Sequence, residues 1–384
     1  MLLKEINPLH RKEEIIMPQY AMQVPMFNKC SLNCEFCFQN DHGKRASDID
    51  IDYIKSLPKQ IMDAHRELFK ERKIDTLKMT VYGGDPFSDF LPDEMFDLYR
   101  WYYNDFKTRL HAEFPNMELK LIWLSNLVFT KRERVDQLLE DTNGNIYTSY
   151  DAVGRFNAEW QRKLWYETLM YYKDRLPRVT VTFIKDNIEK IISGDEYFDK
   201  IPKHITIDVS YYLPVKDDYA KFCPSDDLVY RFLKWGLDQR RFNIEPVEQA
   251  IFSVIEPWNV QSYCQCYEST YNAKNPDGTI APLLTCHDTI AQALDYNVEG
   301  FYKEKDYEMI LNPLIIDKRD ISKELRGCNY CEYNDHCQKM CFMLQNHINY
   351  KTDKICPFLR IYQYIKQHPI IIEDYKVFKE KLKK

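Results

Sequence analysis

The twelve cysteines of this 384-residue chain are distributed too unevenly to be incidental, and they constrain the fold more than any other feature. Cys30, Cys34 and Cys37 form one group. Cys264, Cys266, Cys286, Cys328, Cys331, Cys337, Cys341 and Cys356 form a second, and Cys223 stands apart. The N-terminus mixes charges of both signs and shows neither an apolar core nor a small-residue cleavage site. No signal peptide is expected, and the expected location is cytoplasmic. In a reducing compartment clustered cysteines serve more often as metal ligands than as disulfides. The fold therefore has to present two thiol-rich metal sites drawn from distant parts of the chain.

The segment between the two groups is almost free of cysteine and alternates apolar strands with amphipathic helices. Strands are expected at Tyr20–Phe27, Leu77–Tyr82, Leu119–Val128, Ile146–Asp151, Val179–Lys185 and Ile205–Leu213. Helices are expected near 51–71, 92–112, 131–140, 155–174, 187–198 and 225–239. Strands rich in Val, Ile, Thr and aromatics, with helical patterns between them, read as repeated βα units around a parallel sheet. Six units predict an α/β fold, a partial (β/α)6 parallel barrel with function at the C-terminal strand ends. After about residue 240 the helical periodicity fades into cysteine-bearing loops. The expected organisation is thus an N-terminal arm over 1–19, a barrel over 20–240 and a cysteine-rich domain over 241–384. The last of these closes in a helix whose lysines, Lys376 to Lys384, face water.

Cys30-Ser31-Leu32-Asn33-Cys34-Glu35-Phe36-Cys37 is a CxxxCxxC run at the C-terminal end of the first expected strand. Three thiols this close suit one soft-metal site. An iron–sulfur cube held by three thiolates leaves one iron open to another ligand. Structural zinc is the alternative, with His42 completing a Cys₃His tetrahedron. With the aromatic Phe36 beside the last cysteine, the run resembles the CxxxCxΦC motif of the radical S-adenosylmethionine (radical SAM) superfamily. The resemblance implies that the open iron binds the methionine amino and carboxylate groups of SAM, with Phe36 beside them.

Tyr82-Gly83-Gly84-Asp85-Pro86 stands at the end of the second expected strand. Alone it reads as a turn, with glycines that permit close backbone approach and positive φ. Following CxxxCxxC, it resembles the GGEP motif of the superfamily, Asp85 replacing the usual glutamate. That resemblance implies contact of Gly83, Gly84, Asp85 and Pro86 with the SAM amino group. Ser125 and Asn126 end the third strand, and Ser149 and Asp151 the fourth, with Arg155 just beyond. By the same resemblance Asn126, Ser149, Asp151 and Arg155 are candidates for the ribose and carboxylate of SAM. The fork of donors on Arg suits a carboxylate. Asp151 has an alternative role, capping the helix expected near Arg155.

Cys328, Cys331, Cys337, Cys341 and Cys356 follow the spacing CxxCx₅CxxxC…C. This resembles the SPASM domain, the auxiliary-cluster extension of one radical SAM branch. Upstream the pattern is looser: one residue separates Cys264 from Cys266, and seven residues separate Gly278 from Cys286. A zinc ribbon is the alternative. Eight cysteines supply two fully ligated cubes. The resemblance implies that Cys341 joins Cys264, Cys266 and Cys286, while Cys328, Cys331, Cys337 and Cys356 hold the outer cluster. The cofactors expected are three [4Fe–4S] clusters and SAM.

A net charge of −6 argues against a nucleic-acid binder, and no apolar stretch is long enough for a membrane span. The resemblance implies reductive cleavage of SAM to a 5′-deoxyadenosyl radical that abstracts hydrogen from a peptide or protein. The outcome expected is an oxidative carbon–carbon or thioether crosslink. Formylglycine formation, epimerisation and small-molecule dehydrogenation are alternatives, and a non-catalytic zinc or iron–sulfur electron carrier is the rival from another class. The partners implied are a flavodoxin- or ferredoxin-type electron donor and a separate leader-recognition protein, since few residues precede the first strand. Asp288 is a candidate base, although His287 stands between it and Cys286. Cys223 reads as an inert thiol, Trp101-Tyr102-Tyr103 as core or rim, and Tyr211-Tyr212 as lining at a strand end.

Overall fold

Alternate residues of a strand point to opposite faces, and that rule decides what this sheet buries. In β1, Gln19–Pro25, the residues Tyr20, Met22 and Val24 are buried while their neighbours are only partly covered. The computed structural model describes residues 19–27, 29–37, 49–211, 222–256, 269–274, 280–284, 331–333, 337 and 356–383. Within them β1 is followed by α1 (Ile51–Arg72), β2 (Thr76–Tyr82), α2 (Glu94–Glu113), β3 (Glu118–Ser125), α3 (Arg132–Thr142) and β4 (Asn145–Ser149). Then come α4 (Glu159–Tyr172), β5 (Arg178–Phe183), α5 (Lys185–Ser193), α6 (Glu196–Asp199), β6 (Thr206–Tyr211), α7 (Asp226–Asp238) and α8 (Glu245–Ile255). The strands β7 (Ser269–Lys274) and β8 (Ile280–Leu284) and the helices α9 (Pro357–Gln367) and α10 (Ile370–Leu382) complete the described elements.

The sheet runs β6-β5-β4-β3-β2-β1-β7-β8. The first six strands lie side by side in chain order, all parallel, and β7 extends them in parallel beyond β1. Among the described strands only β8 is antiparallel, forming a hairpin with β7. Strand order never reverses within the first six, which is the winding of a barrel rather than of a doubly wound sheet. Because β6 does not close on β1, the barrel is partial. The α/β half-barrel expected from the sequence is what forms.

One face carries the helices. Tyr20 meets His65 and Phe69 of α1, and the Tyr102 hydroxyl of α2 reaches the Met79 sulfur at 3.2 Å. Trp123 packs on Tyr99, Trp165 of α4 donates to Thr148 at 3.3 Å, and Phe183 packs on Phe232 of α7. Helix ends are fixed locally. The Asp50 carboxylate accepts from the Tyr53 N–H at 2.9 Å, and the Ser225 hydroxyl accepts from the Leu228 N–H at 3.2 Å. Lys73 and Asn143 close α1 and α3 in the left-handed conformation. No described helix is long and apolar enough to cross a membrane. Trp101 is largely exposed, whereas Tyr102 and Tyr103 are buried core residues, as the rim-or-core expectation allows.

Residues past 240 share this core. The backbone bridges from Ile207 to Ile244, which leads directly into α8. Tyr375 of α10 donates to Glu248 at 2.7 Å and packs edge-on against Phe242, and Arg240 pairs with Asp374 at 2.6 Å. On α9, Arg360 lies over the Tyr230 ring of α7 and pairs with Asp227. Gly236 of α7 faces Val247 of α8, where an added Cβ would come within 2.5 Å of Cγ2. Both helices are held by core contacts, so overpacking outweighs the gain in helix propensity. Gly236→Ala is expected to lower stability by about 1–3 kcal/mol, read as a lower urea midpoint at unchanged slope. An unchanged midpoint would mean that α7 and α8 pack more loosely than this.

Candidate functional site

The C-terminal ends of β1 to β5 fall on one edge of the sheet, because the strands are parallel and adjacent. The sequence places Cys30, Cys34 and Cys37 after β1, Gly83 to Pro86 after β2, Ser125 and Asn126 at the end of β3, and Asp151 and Arg155 after β4. The structure brings these segments into contact.

The cysteine loop rests on the glycines. Gly83 and Gly84 have φ of 110° and 60°, and a Cβ on either would overlap backbone of the first loop. At Gly83 it would lie 2.1 Å from the Phe27 carbonyl oxygen; at Gly84, 1.8 Å from that of Lys29. Only glycine tolerates both the angles and the approach. Here the glycines fit the two loops together. The Asp85 N–H donates to the Lys29 carbonyl at 2.9 Å and locks the contact.

Asp85 itself is fully buried. Its carboxylate accepts from the Ser125 hydroxyl at 2.8 Å, the Ser88 hydroxyl at 2.9 Å and the Phe87 N–H at 3.4 Å. Burial raises its pKa, and these bonds oppose the shift. Pro86 is buried with it. Asn126 turns toward the cysteines, its Nδ2 lying 3.1 Å from Ser31 Oγ and 3.6 Å from Cys30 Sγ. Burial first, and then the Asp85 charge, push the Cys30 thiol up to about 11.

The end of β4 closes the other side. The Glu35 N–H donates to the Gly154 carbonyl at 3.1 Å, and Phe36 is buried beneath Arg155, whose guanidinium lies 5.9 Å from its ring centre. Arg155 donates to Asp151 at 2.6 Å. Burial opposes its charge, but Asp151, Cys34 and Cys30 outweigh that and hold its pKa above the usual range. Asp151 is fully buried and also accepts from the Thr182 N–H and the Asn187 Nδ2, each at 2.7 Å. It therefore does not cap a helix at Arg155; α4 starts only at Glu159. Ser149 is half-buried on the face opposite Thr148, level with Thr180.

Three thiols, with no imidazole or carboxylate among them, form a soft donor set on one loop, which suits an iron–sulfur cluster. As placed, no three His, Cys, Asp or Glu side chains among the described residues lie close enough to chelate a single metal ion. Of the second group, Cys331, Cys337 and Cys356 are half-buried, and the Tyr362 hydroxyl donates to Cys337 Sγ at 3.1 Å. Cys264, Cys266, Cys286, Cys328, Cys341, His42, Asp288 and Tyr212 lie outside the described residues. Sequence reasoning missed Ser88, Thr182 and Asn187. Ser88, two residues past Pro86, lay beside a motif already singled out, whereas Thr182 inside β5 and Asn187 in α5 carried no such signal.

The buried network generates an ordering. Asp85→Ala strands two hydroxyls and an N–H in a dry site and is expected to cost about 1–3 kcal/mol of stability. Asp85→Asn keeps the shape and one acceptor oxygen, so it should cost less. Gly84→Ala forces backbone against backbone and should cost more than Asp85→Asn. Equal unfolding midpoints for all three variants would contradict the packing of these loops.

No protein-family model matches the chain, and no curated protein matches it. Among solved structures the chain is similar to the crystal structure of BtrN in complex with AdoMet and 2-DOIA. The match has 16% identity and a TM-score of 0.27, covering 50% of this chain and 70% of that one. A superposition that loose assigns neither fold nor function to this chain.

Proposed function

We propose that this chain is a radical SAM enzyme of the SPASM branch acting on a peptide or protein. The observation that carries the reading is the docking of the CxxxCxxC loop on Gly83-Gly84-Asp85, with Asn126 on one side of it and Phe36 and Arg155 on the other. Four strand ends that are separate in sequence supply one thiol site with polar walls. A zinc scaffold or simple electron carrier needs the thiols but gives no reason for the rest.

In this reading Cys30, Cys34 and Cys37 hold the SAM-binding cluster, and the second group of cysteines holds two auxiliary clusters. When bound, the reduced cluster and SAM supply a 5′-deoxyadenosyl radical that removes hydrogen from an unactivated carbon. The residues of the chain position and shield. Gly83 and Gly84 leave backbone rather than side chain at the loop junction. Arg155, fixed by Asp151, offers a cation beside Cys34 for the SAM carboxylate. Ser149 and Asn126 are the residues that would hold the ribose. The auxiliary clusters would take up the electron left on the substrate radical, and the net outcome is an oxidative crosslink. A flavodoxin- or ferredoxin-type donor and a separate leader-binding protein are the partners proposed, in the cytoplasm. Asp288 is kept as a candidate base.

Three [4Fe–4S] clusters correspond to about 12 iron per chain after anaerobic reconstitution. Replacing Cys30, Cys34 and Cys37 together by alanine should lower this to about eight and abolish 5′-deoxyadenosine formation from SAM. SAM cleavage retained in that variant would refute the site assignment. With substrate, the product should be two hydrogens lighter. A product of unchanged mass carrying one solvent deuterium at Cα would indicate epimerisation instead.

A further inference from the structure

The face of the half-barrel turned away from the helices carries an arrangement of charge that nothing in the strand-end site uses. Lys78 of β2 alternates with Met79, which meets α2, so its side chain leaves on the opposite face. In register beside it stand Ala21 on β1, a residue too small to fill the space, and Lys120 on β3. Arg178, the first residue of β5, points to the same face, since it alternates with the buried Val179.

Two of these three cations have carboxylate partners of their own. Lys120 pairs with Glu118 at 3.1 Å, and Arg178 pairs with Asp208 at 3.2 Å and Glu245 at 3.5 Å. Lys78 is half-buried, and among the described residues no carboxylate pairs with it. Burial first, then Lys120 and Arg178, hold its pKa below the usual ammonium range. An ammonium drawn out of water toward two other cations is unfavourable unless something negative completes the group. Gln23 and Thr80, which pair in register above Lys78, continue the face in polar residues toward the cysteine loop.

We propose that Lys78, Lys120 and Arg178 form an oxyanion-binding floor on the inner face of the sheet, which holds a carboxylate or phosphate carried by the substrate. The inference rests on the radical SAM reading for the substrate lying over this face. Four residues of strand separate Lys78 from Tyr82, roughly 13 Å at about 3.3 Å per residue. The substrate therefore carries its anionic group about that far from the carbon that reacts, and the floor sets which carbon is presented.

Pyridoxal 5′-phosphate tests this on the full chain, because it joins a phosphate to an aldehyde that condenses with a neutral amine. Water leaves as the imine forms, and borohydride then reduces the imine to a stable amine. Peptide mapping should place the adduct on Lys78, favoured about tenfold over labelling by pyridoxal, which lacks the phosphate. Inorganic pyrophosphate or glutarate should protect Lys78, and whichever protects at lower concentration identifies the group as phosphate or carboxylate. Lys120→Met, a change at an exposed side chain, should remove most of the preference. Labelling scattered over surface lysines, or equal labelling by pyridoxal, would overturn the floor. The labelling requires neither cluster nor SAM, so a failure of 5′-deoxyadenosine formation would fall on the radical reading alone.

Discussion

A carboxylate with no solvent exposure is tolerated only where donors surround it, and Asp85 makes the strand-end site depend on that requirement. Its donors come from its own turn and from the end of β3, and its N–H holds the loop after β1. One residue thus ties three consecutive strand ends together. The neighbouring glycines let that tie form, since a single Cβ would drive the first loop away. Arg134 reinforces the turn from below, donating to the Ser88 carbonyl at 2.9 Å and the Leu91 carbonyl at 2.7 Å. The thiols are presented by a scaffold that is buried and hydrogen-bonded.

Asp151 does the same on the other side. It is buried, and it spends its lone pairs on the Thr182 N–H, Asn187 and Arg155, so β4, β5 and the start of α5 meet at one carboxylate. Asn187 in turn accepts from the Val153 N–H at 2.8 Å, which fixes the loop carrying Gly154 and Arg155. The result is a cation held at a set angle over Phe36 and beside the cysteines. Two buried acids, one on each flank, define the width of the site, and the parallel order of the strands puts both on the same edge.

Much of this was legible in the sequence, for physical reasons. Apolar alternation located the first six parallel strands, β1 to β6, because each is buried on its helix face. Boundaries drifted where apolar residues continue past a strand. β3 was expected to reach Val128, but Leu127 takes a φ of 58° and Asn126 Oδ1 captures the Val128 N–H, which ends the ladder at Ser125. The helix expected over 187–198 is broken at Gly194, and Asp195 caps a new one. α8 and the β7–β8 hairpin were not anticipated, because cysteine-bearing loops around them hid their periodicity. Motif residues were found by type and spacing, but what they bond was not. Asp85 stands out in the sequence as part of a GGEP-like motif, and nothing there shows that its carboxylate bonds inward to Ser125 and Ser88. Lys78 carries no motif, and only its register beside Lys120, on the face that also bears Arg178, gives it meaning.

The central claim is that the thiols after β1 hold a redox cluster whose open iron is reached by SAM. The most direct measurement is the electron paramagnetic resonance spectrum of the dithionite-reduced protein before and after SAM is added, in a variant whose second group of cysteines is replaced by alanine. The account predicts one reduced-cluster signal that changes shape when SAM binds. A colourless protein with no such signal, or a cluster signal that SAM leaves unchanged, would contradict it.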